Sequence, residues 1–224
     1  MAEKIKHNDF IEVDYTGKLT DGTIFDTTSK DVAQKSGMFN ERTKLGPATI
    51  CVGEGQILPG LEAQIVDKEV GKEYIVQLSA ENAFGKRDVK NVKIMPMSAF
   101  KEHKMMPQPG LQIDVDGELG TVSRVSGGRV IVNFNHPLSG KEVVYTFKVN
   151  KIVVNKKEKL SAYLNNVLKI PEANLKIDVI EDKATVKLPF DLPEPFVKVM
   201  EEKILQVTGL KELKFVKEVK EEKK

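Results

Sequence analysis

Residues 11–26, IEVDYTGKLTDGTIFD, constrain the fold more tightly than any other stretch of this chain. Ile11, Val13 and Tyr15 alternate with polar residues, which sets them on one face of a half-buried strand. Asp21-Gly22 offers the positive φ that a tight hairpin needs, so the strand returns on itself. The return ends in Phe25-Asp26, an aromatic ring followed at once by a carboxylate. Tyr15, Phe25 and Asp26 then meet at one end of the hairpin and line a small apolar cup with one acid at its rim. An ordinary hairpin with core aromatics is the equal alternative, and the rest of the chain has to separate the two.

Composition narrows the classes. The 224 residues are enough for two or three small domains with cores of their own. Lys+Arg 35 against Asp+Glu 33 leaves a net charge of +2, so no global field draws the chain to nucleic acid or an anionic membrane. No apolar run approaches the roughly 20 residues of a membrane span, and the opening MAEKIKHNDF does not read as a signal peptide. A single cysteine, Cys51, in an apolar run fits a buried thiol in a reducing compartment. The expectation is a cytoplasmic protein.

Texture divides the chain into three regions. The first, residues 1–85, is rich in strands: after the hairpin come a long polar loop (Ser29–Pro47), an apolar strand (Thr49–Val52), a short helix opened by Pro59, and an alternating strand at Tyr74, Val76 and Leu78. Residues 86–135 hold four of the seven methionines. They predict a short helix capped by Ser98, then strands over Leu111–Val115, Leu119–Val125 and Arg129–Phe134. A turn at His136–Gly140 leads to a long strand, Val143–Val154, which returns to the first region and makes residues 86–135 an insertion. Beyond it, Leu160, Leu164, Val167 and Leu168 form a helical stripe ended by Pro171. Two strands follow, then a helix from Pro195 carrying Phe196, Met200, Ile204 and Val207 and stopped by Gly209, and a last strand at Leu213 and Phe215. Residues 155–224 thus read as a separate α-β-β-α-β domain with a solvated tail, Lys217–Lys224.

Four segments now stand in order: YTGKLTDGTIFD, VGEGQILPGLE, AFG and NHPLSGKEVVY. Together they resemble the FKBP family of peptidyl-prolyl isomerases. The insertion between AFG and NHPLSG is similar to the SlyD-like branch, and the extra C-terminal region to the long archaeal FKBPs. The resemblance implies an α+β protein: a half-open antiparallel sheet wrapped on a short helix (residues 1–85 and 136–154), an inserted mainly-β chaperone domain (86–135) and the C-terminal domain, a candidate for homodimerisation. It implies catalytic roles for Tyr15, Phe25, Asp26, Phe84 and Tyr145, and substrate contacts from Ile57, Leu58, Leu61, Ala83, His136 and Leu138. Leu61 stands where many relatives carry a floor tryptophan, and Phe84 lacks the hydroxyl of the usual tyrosine. Both departures bear on macrolide binding more than on isomerisation.

Those residue types suit the reaction. Rotating an X–Pro bond breaks no covalent bond, and its barrier of roughly 20 kcal/mol comes from amide resonance. An apolar pocket disfavours the polar planar amide and favours the twisted one, so no nucleophile, metal or cofactor is implied. Asp26 either orients Tyr15 or meets the dipole of the twisted carbonyl; a plain turn cap is the structural alternative. Met95, Met97, Phe100, Met105 and Met106 are candidates for a surface that binds unfolded chains, because methionine adapts to unrelated apolar partners. The competing reading places some of them in the insertion's own core. A non-catalytic holdase that uses the same frame to bind peptides is the rival function, and an RNA-binding role for the lysine-rich C-terminal region is disfavoured by the net charge.

Overall fold

The computed structural model describes residues 3–41, 45–171 and 174–217. Two compact units emerge, one of residues 1–77 with 144–224 and the other of residues 78–143.

The first unit is organised by β1 (Phe10–Leu19), a ten-residue strand whose alternating Ile11 and Val13 are fully buried. Its two halves pair with different partners. Thr16–Lys18 face β2 (Ile24–Thr27) across the hairpin, whereas Phe10–Val13 face β3 (Ala48–Cys51), both antiparallel. Gly22 takes φ 90° at the turn, and the Asp21 carboxylate accepts the Thr23 amide at 2.8 Å, closing the loop as expected for this dipeptide. Between β2 and β3 the predicted loop contains a helix, α1 (Lys30–Lys35), with Ser29 as its N-cap. Its only apolar residues are Val32 and Ala33, too few to show a periodicity in sequence. Helix α2 (Pro59–Ile65) starts at Pro59 as predicted and buries Leu61 and Ile65. Strands β4 (Glu73–Leu78) and, from beyond the second unit, β9 (Val143–Ile152) complete the sheet in the order β2-β1-β9-β4. Every second residue of β9 from Val143 to Val149 is buried, as befits a central strand.

The second unit is a four-stranded antiparallel sheet in the order β5-β8-β7-β6, built from β5 (Val92–Pro96), β6 (Gln112–Val115), β7 (Glu118–Ser126) and β8 (Arg129–Asn133). Strand β5 is absent from the sequence expectation: Pro96 masks it, yet Pro96 closes the strand, where a missing N–H is tolerated. Helix α3 (Met97–Glu102) begins one residue before Ser98, with Pro96 as N-cap and no side-chain cap, so Ser98 does not cap it. Phe100, Ile113, Val122, Val130 and Val132 form the core of this sheet.

In the C-terminal region α4 (Lys156–Leu168), β10 (Lys176–Ile180), β11 (Lys183–Leu188), α5 (Glu194–Thr208) and β12 (Glu212–Lys217) follow in the predicted order. Strands β10 and β11 are antiparallel, and β12 runs parallel to β11 after the crossover through α5. The Asn155 side chain caps α4, and Gly209, at φ 73°, ends α5. Two predicted core positions lie outward: Val167 is 41% exposed and Phe196 43%. The region shares its core with the first sheet, because Leu160, Tyr163 and Leu164 of α4 join Phe10 of β1 and Cys51 of β3 in one cluster. Cys51 is fully buried, and desolvation pushes its thiol up to about 12, which suits packing and not nucleophilic attack. The tail beyond Lys217 lies outside the described residues. No helix among the described residues is long and apolar enough to cross a membrane.

Candidate active site

Two threonines lock the hairpin at its open end. Thr28 accepts the Tyr15 amide at 3.0 Å on its hydroxyl and returns its own amide to the Tyr15 carbonyl at 3.0 Å. The Thr28 hydroxyl also donates to Asp14 at 2.9 Å, and Asn150 of β9 donates to the other oxygen of that carboxylate at 2.8 Å. Thr27 and Thr16 share a hydrogen bond of 2.8 Å across the pair. Tyr15 is therefore held at both its backbone amide and its carbonyl by Thr28, and its neighbour Asp14 is tied to β9.

The pairing of β1 with β2 then slips. Gly17 faces Asp26 but Lys18 faces Ile24, so Phe25 is an extra residue on β2. In a regular strand Phe25 and Asp26 project to opposite faces; the bulge turns both toward β1 and β9. Phe25 meets Tyr145 of β9 edge-on at 5.8 Å between ring centroids, and Tyr145 meets Tyr15 at 6.0 Å. Such edge-to-face pairs add specific geometry to plain apolar contact. Gly17 allows it: a Cβ there stands 2.8 Å from both the Phe25 and the Tyr145 ring. In sequence Gly17 carries no such signal, since a glycine in a strand implies a close approach without saying of what.

Asp26 completes the cluster. The Tyr15 hydroxyl donates to its carboxylate, and so does the Thr27 amide. Burial raises the pKa of Asp26 above 3.8, and the two hydrogen bonds pull against that shift. Burial, reinforced by the Asp26 charge and its hydrogen bond, pushes the Tyr15 hydroxyl up to about 12; Tyr145 is raised further by burial and the same charge. Both phenols stay protonated through neutral and alkaline pH. The site presents an apolar aromatic wall with polar groups at its rim and no group poised to give up a proton. It is chemically fitted to bind an apolar ring and an adjoining amide.

Tyr15 and Asp26 also border a groove of about 930 Å³ that continues past Thr28, Ala48 and Thr49 to α4. Ile57 and Leu58 are half-buried in the turn before α2, and Leu61 lies in the core at 1% exposure. In the second unit Phe84 and His136 stack in parallel at 4.8 Å, while the Ser139 hydroxyl donates to the Phe84 carbonyl at 3.2 Å. Ala83 and Leu138 are half-buried beside them in sequence.

The methionine candidates divide. Phe100 is 2% exposed and belongs to the core, which removes it from an open surface, and Met95 and Met97 pack against that core. Met105 and Met106 stand at 39% and 88% exposure. Ile94 and Leu119, which the sequence reading did not select, are also exposed. A cavity of about 320 Å³ in this unit is bordered by Met95, Phe100, His103 and Met105.

Comparison with known proteins identifies the family. The family model for the FKBP-type peptidyl-prolyl cis-trans isomerase matches residues 1–101, and one described as FKBP26, IF domain, matches residues 93–138. The short-type peptidyl-prolyl cis-trans isomerase of Methanocaldococcus jannaschii is 31% identical over 152 residues, spanning 68% of this chain and 96% of that protein. The SlyD isomerase of Treponema pallidum is 28% identical over 166 residues, spanning 72% and 85%. An FKBP-type 16 kDa isomerase of Escherichia coli is 27% identical over 157 residues, spanning 68% and 96%. A solved structure of the three FKBP domains of wheat FKBP73 aligns at a TM-score of 0.36 with 16% identity, covering 68% of this chain and 42% of that one.

Proposed function

The chain belongs to the FKBP-type peptidyl-prolyl cis-trans isomerase family, and from that premise we propose that Tyr15, Phe25, Asp26 and Tyr145 form its prolyl pocket. The observation that carries this reading is the bulge at Phe25, which brings a ring and a carboxylate of β2 to Tyr15 of β1 and Tyr145 of β9. The aromatic edges hold the prolyl ring while the preceding carbonyl swings out of plane. The twisted amide has lost part of its resonance dipole, so an apolar wall favours it over the planar ground state. Each tenfold acceleration requires about 1.4 kcal/mol of such preference. Asp26 acts as a positioning residue in this scheme: it accepts the Tyr15 hydroxyl and fixes the ring at the pocket's edge. Ile57 and Leu58 contribute to the substrate-binding surface through the turn before α2, whereas Leu61, buried at 1% exposure, supports them from the core and does not itself touch the substrate. For Ala83, Phe84, His136 and Leu138 the proposed contact with substrate rests on their match to family positions.

The inserted sheet, matched by the IF-domain model, serves in this reading as a chaperone surface for unfolded, proline-containing chains in the cytoplasm. Met105 and Met106 supply its adaptable apolar contacts, and Met95, Met97 and Phe100 support them from below. Phe196 and Val199, exposed on α5, are the proposed face for a homodimer, which analytical ultracentrifugation tests directly. The decisive experiment compares the wild type, Asp26→Ala and a deletion of Lys86–Asn135 on a proline tetrapeptide and on a refolding protein. Asp26→Ala is expected to slow both; the deletion is expected to slow refolding far more than tetrapeptide turnover. A wild type that isomerises neither substrate returns the chain to the holdase reading.

A further inference from the structure

We infer that the groove leaving Tyr15 and Asp26 is a second substrate subsite, walled by the C-terminal helix α4, which takes an extended acidic stretch of the polypeptide flanking the proline. The inference rests on the prolyl-pocket reading for its starting point. Its first support is continuity. Tyr15, Asp26 and Thr28 border the same groove as Ala162, Asn165, Asn166 and Lys169. Its volume, about 930 Å³, lies near the top of the roughly 300–1,000 Å³ that accommodate a whole drug-sized ligand. A prolyl ring and its preceding amide leave much of that space unfilled, and an extended chain advances about 3.3 Å per residue along it.

The second support is that the far wall is fixed. Asn166 donates from its amide to the Thr49 carbonyl and to the Gln56 side-chain oxygen, each at 2.9 Å, and the same Gln56 oxygen accepts the Cys51 amide. Tyr163 donates to Glu54 at 3.4 Å, and Lys203 of α5 pairs with the other oxygen of that carboxylate at 2.8 Å. These bonds tie the C-terminal helices to β3 and to the turn that leads to Ile57 and Leu58. A peptide laid in the groove meets a preformed surface and needs no domain closure. Residues 156–169 lie outside both family matches.

Charge supplies the third support. Glu12 borders the groove, but Lys151 lies 3.3 Å from one of its oxygens and Asn150 donates to the other at 3.4 Å. Asp26 is engaged by the Tyr15 hydroxyl and the Thr27 amide. Lys169 is exposed at the C-terminal end of α4 and has no carboxylate partner among the described residues. Among the described residues the uncompensated charge at the far end is therefore positive, and the chemistry it selects is an Asp or Glu side chain several residues from the proline.

The test uses the full chain and five peptides: a proline tetrapeptide, and twelve-residue peptides carrying either three Asp or three Lys on either side of the proline. Isomerisation is read as kcat/KM, and binding is read separately by fluorescence anisotropy. For one flank, the wild type is expected to favour the acidic over the basic peptide, chiefly through KM. Lys169→Glu is expected to lower kcat/KM on that acidic peptide about twofold to fivefold relative to the tetrapeptide, the span of an exposed charge pair, and to improve the basic one. Lys169→Asn, which suits the left-handed backbone at this position, is expected to remove the preference without reversing it. Equal kcat/KM for all long peptides in the wild type, or a uniform change in Lys169→Glu, overturns the subsite. Absence of turnover on every peptide overturns the prolyl-pocket reading instead, and the anisotropy preference then decides the groove by itself.

Discussion

In the first unit Phe25 and Tyr145 close over Gly17 with no room for one more carbon, whereas in the second Met105 and Met106 stand open to solvent. In the proposed function both regions bind through apolar side chains, yet they do so by opposite physical means. Around Tyr15 each ring is fixed by an edge contact, a hydrogen bond or the backbone of a neighbouring strand. Rigidity there is what lets a pocket distinguish a twisted amide from a planar one, since a wall that relaxes around both states discriminates neither. The exposed methionines, flexible and polarizable, conform to whatever apolar segment arrives. In the proposed function, fixed geometry serves the bond rotation and adaptable surface serves capture.

The sharpest way to break this contrast is to push on the rigid side. Gly17→Ala puts a Cβ into the Phe25 and Tyr145 rings; overpacking of that kind costs about 1–3 kcal/mol of folding stability, and tetrapeptide turnover should fall as the two rings are displaced. Urea melts measure the stability part, and a Gly17→Ala protein of unchanged activity shows that ring closure is not what the pocket needs. Next in size are Asp26→Ala and Tyr15→Phe. Each removes one partner of a hydrogen bond worth about 1 kcal/mol, or about fivefold in rate. The double variant should be no worse than the poorer single one, because both act on one contact. Additive losses would place Asp26 against the substrate directly.

On the adaptable side the effect is smaller. Met105→Gln with Met106→Gln should slow refolding of a protein substrate about twofold to fivefold, since two exposed apolar side chains among several share the work. Tetrapeptide turnover should change less; equal losses would join the two regions into one site. The last expectation concerns pH. Tyr15 is raised to about 12 and Tyr145 also upward, so turnover should stay level through the alkaline range below that value. Burial raises Asp26 above 3.8, so an acid limb should begin above 3.8. A raised carboxyl pKa means that the ionised form costs stability: the cost is full above the folded pKa and disappears below the unfolded one. Asp26→Asn should therefore raise the Tm at neutral pH, by an amount that shrinks as the solution is acidified.

Much of the frame was legible in the sequence. The hairpin at Asp21-Gly22, the proline start of α2, the long strand β9 and the α-β-β-α-β order all follow from local turn chemistry and periodicity. Helix α1 escaped because Val32 and Ala33 are too few to mark a face, and β5 because Pro96 conceals a strand that it closes. Phe100 read as surface because its pattern in a six-residue helix does not say which side faces a core.

The sequence by itself determined a hairpin that carries Tyr15, Phe25 and Asp26 within twelve positions, because its turn and alternation are local; the proline pocket remains the proposed role of these side chains. Only the tertiary structure decided how they meet. The bulge at Phe25 is a register difference between two strands, and no single strand encodes its partner's register. Likewise the C-terminal region looked separate because its periodicity is self-consistent. That α4 instead shares a core with Phe10 and Cys51, and walls a groove beside Tyr15, is a long-range contact that local patterning does not contain.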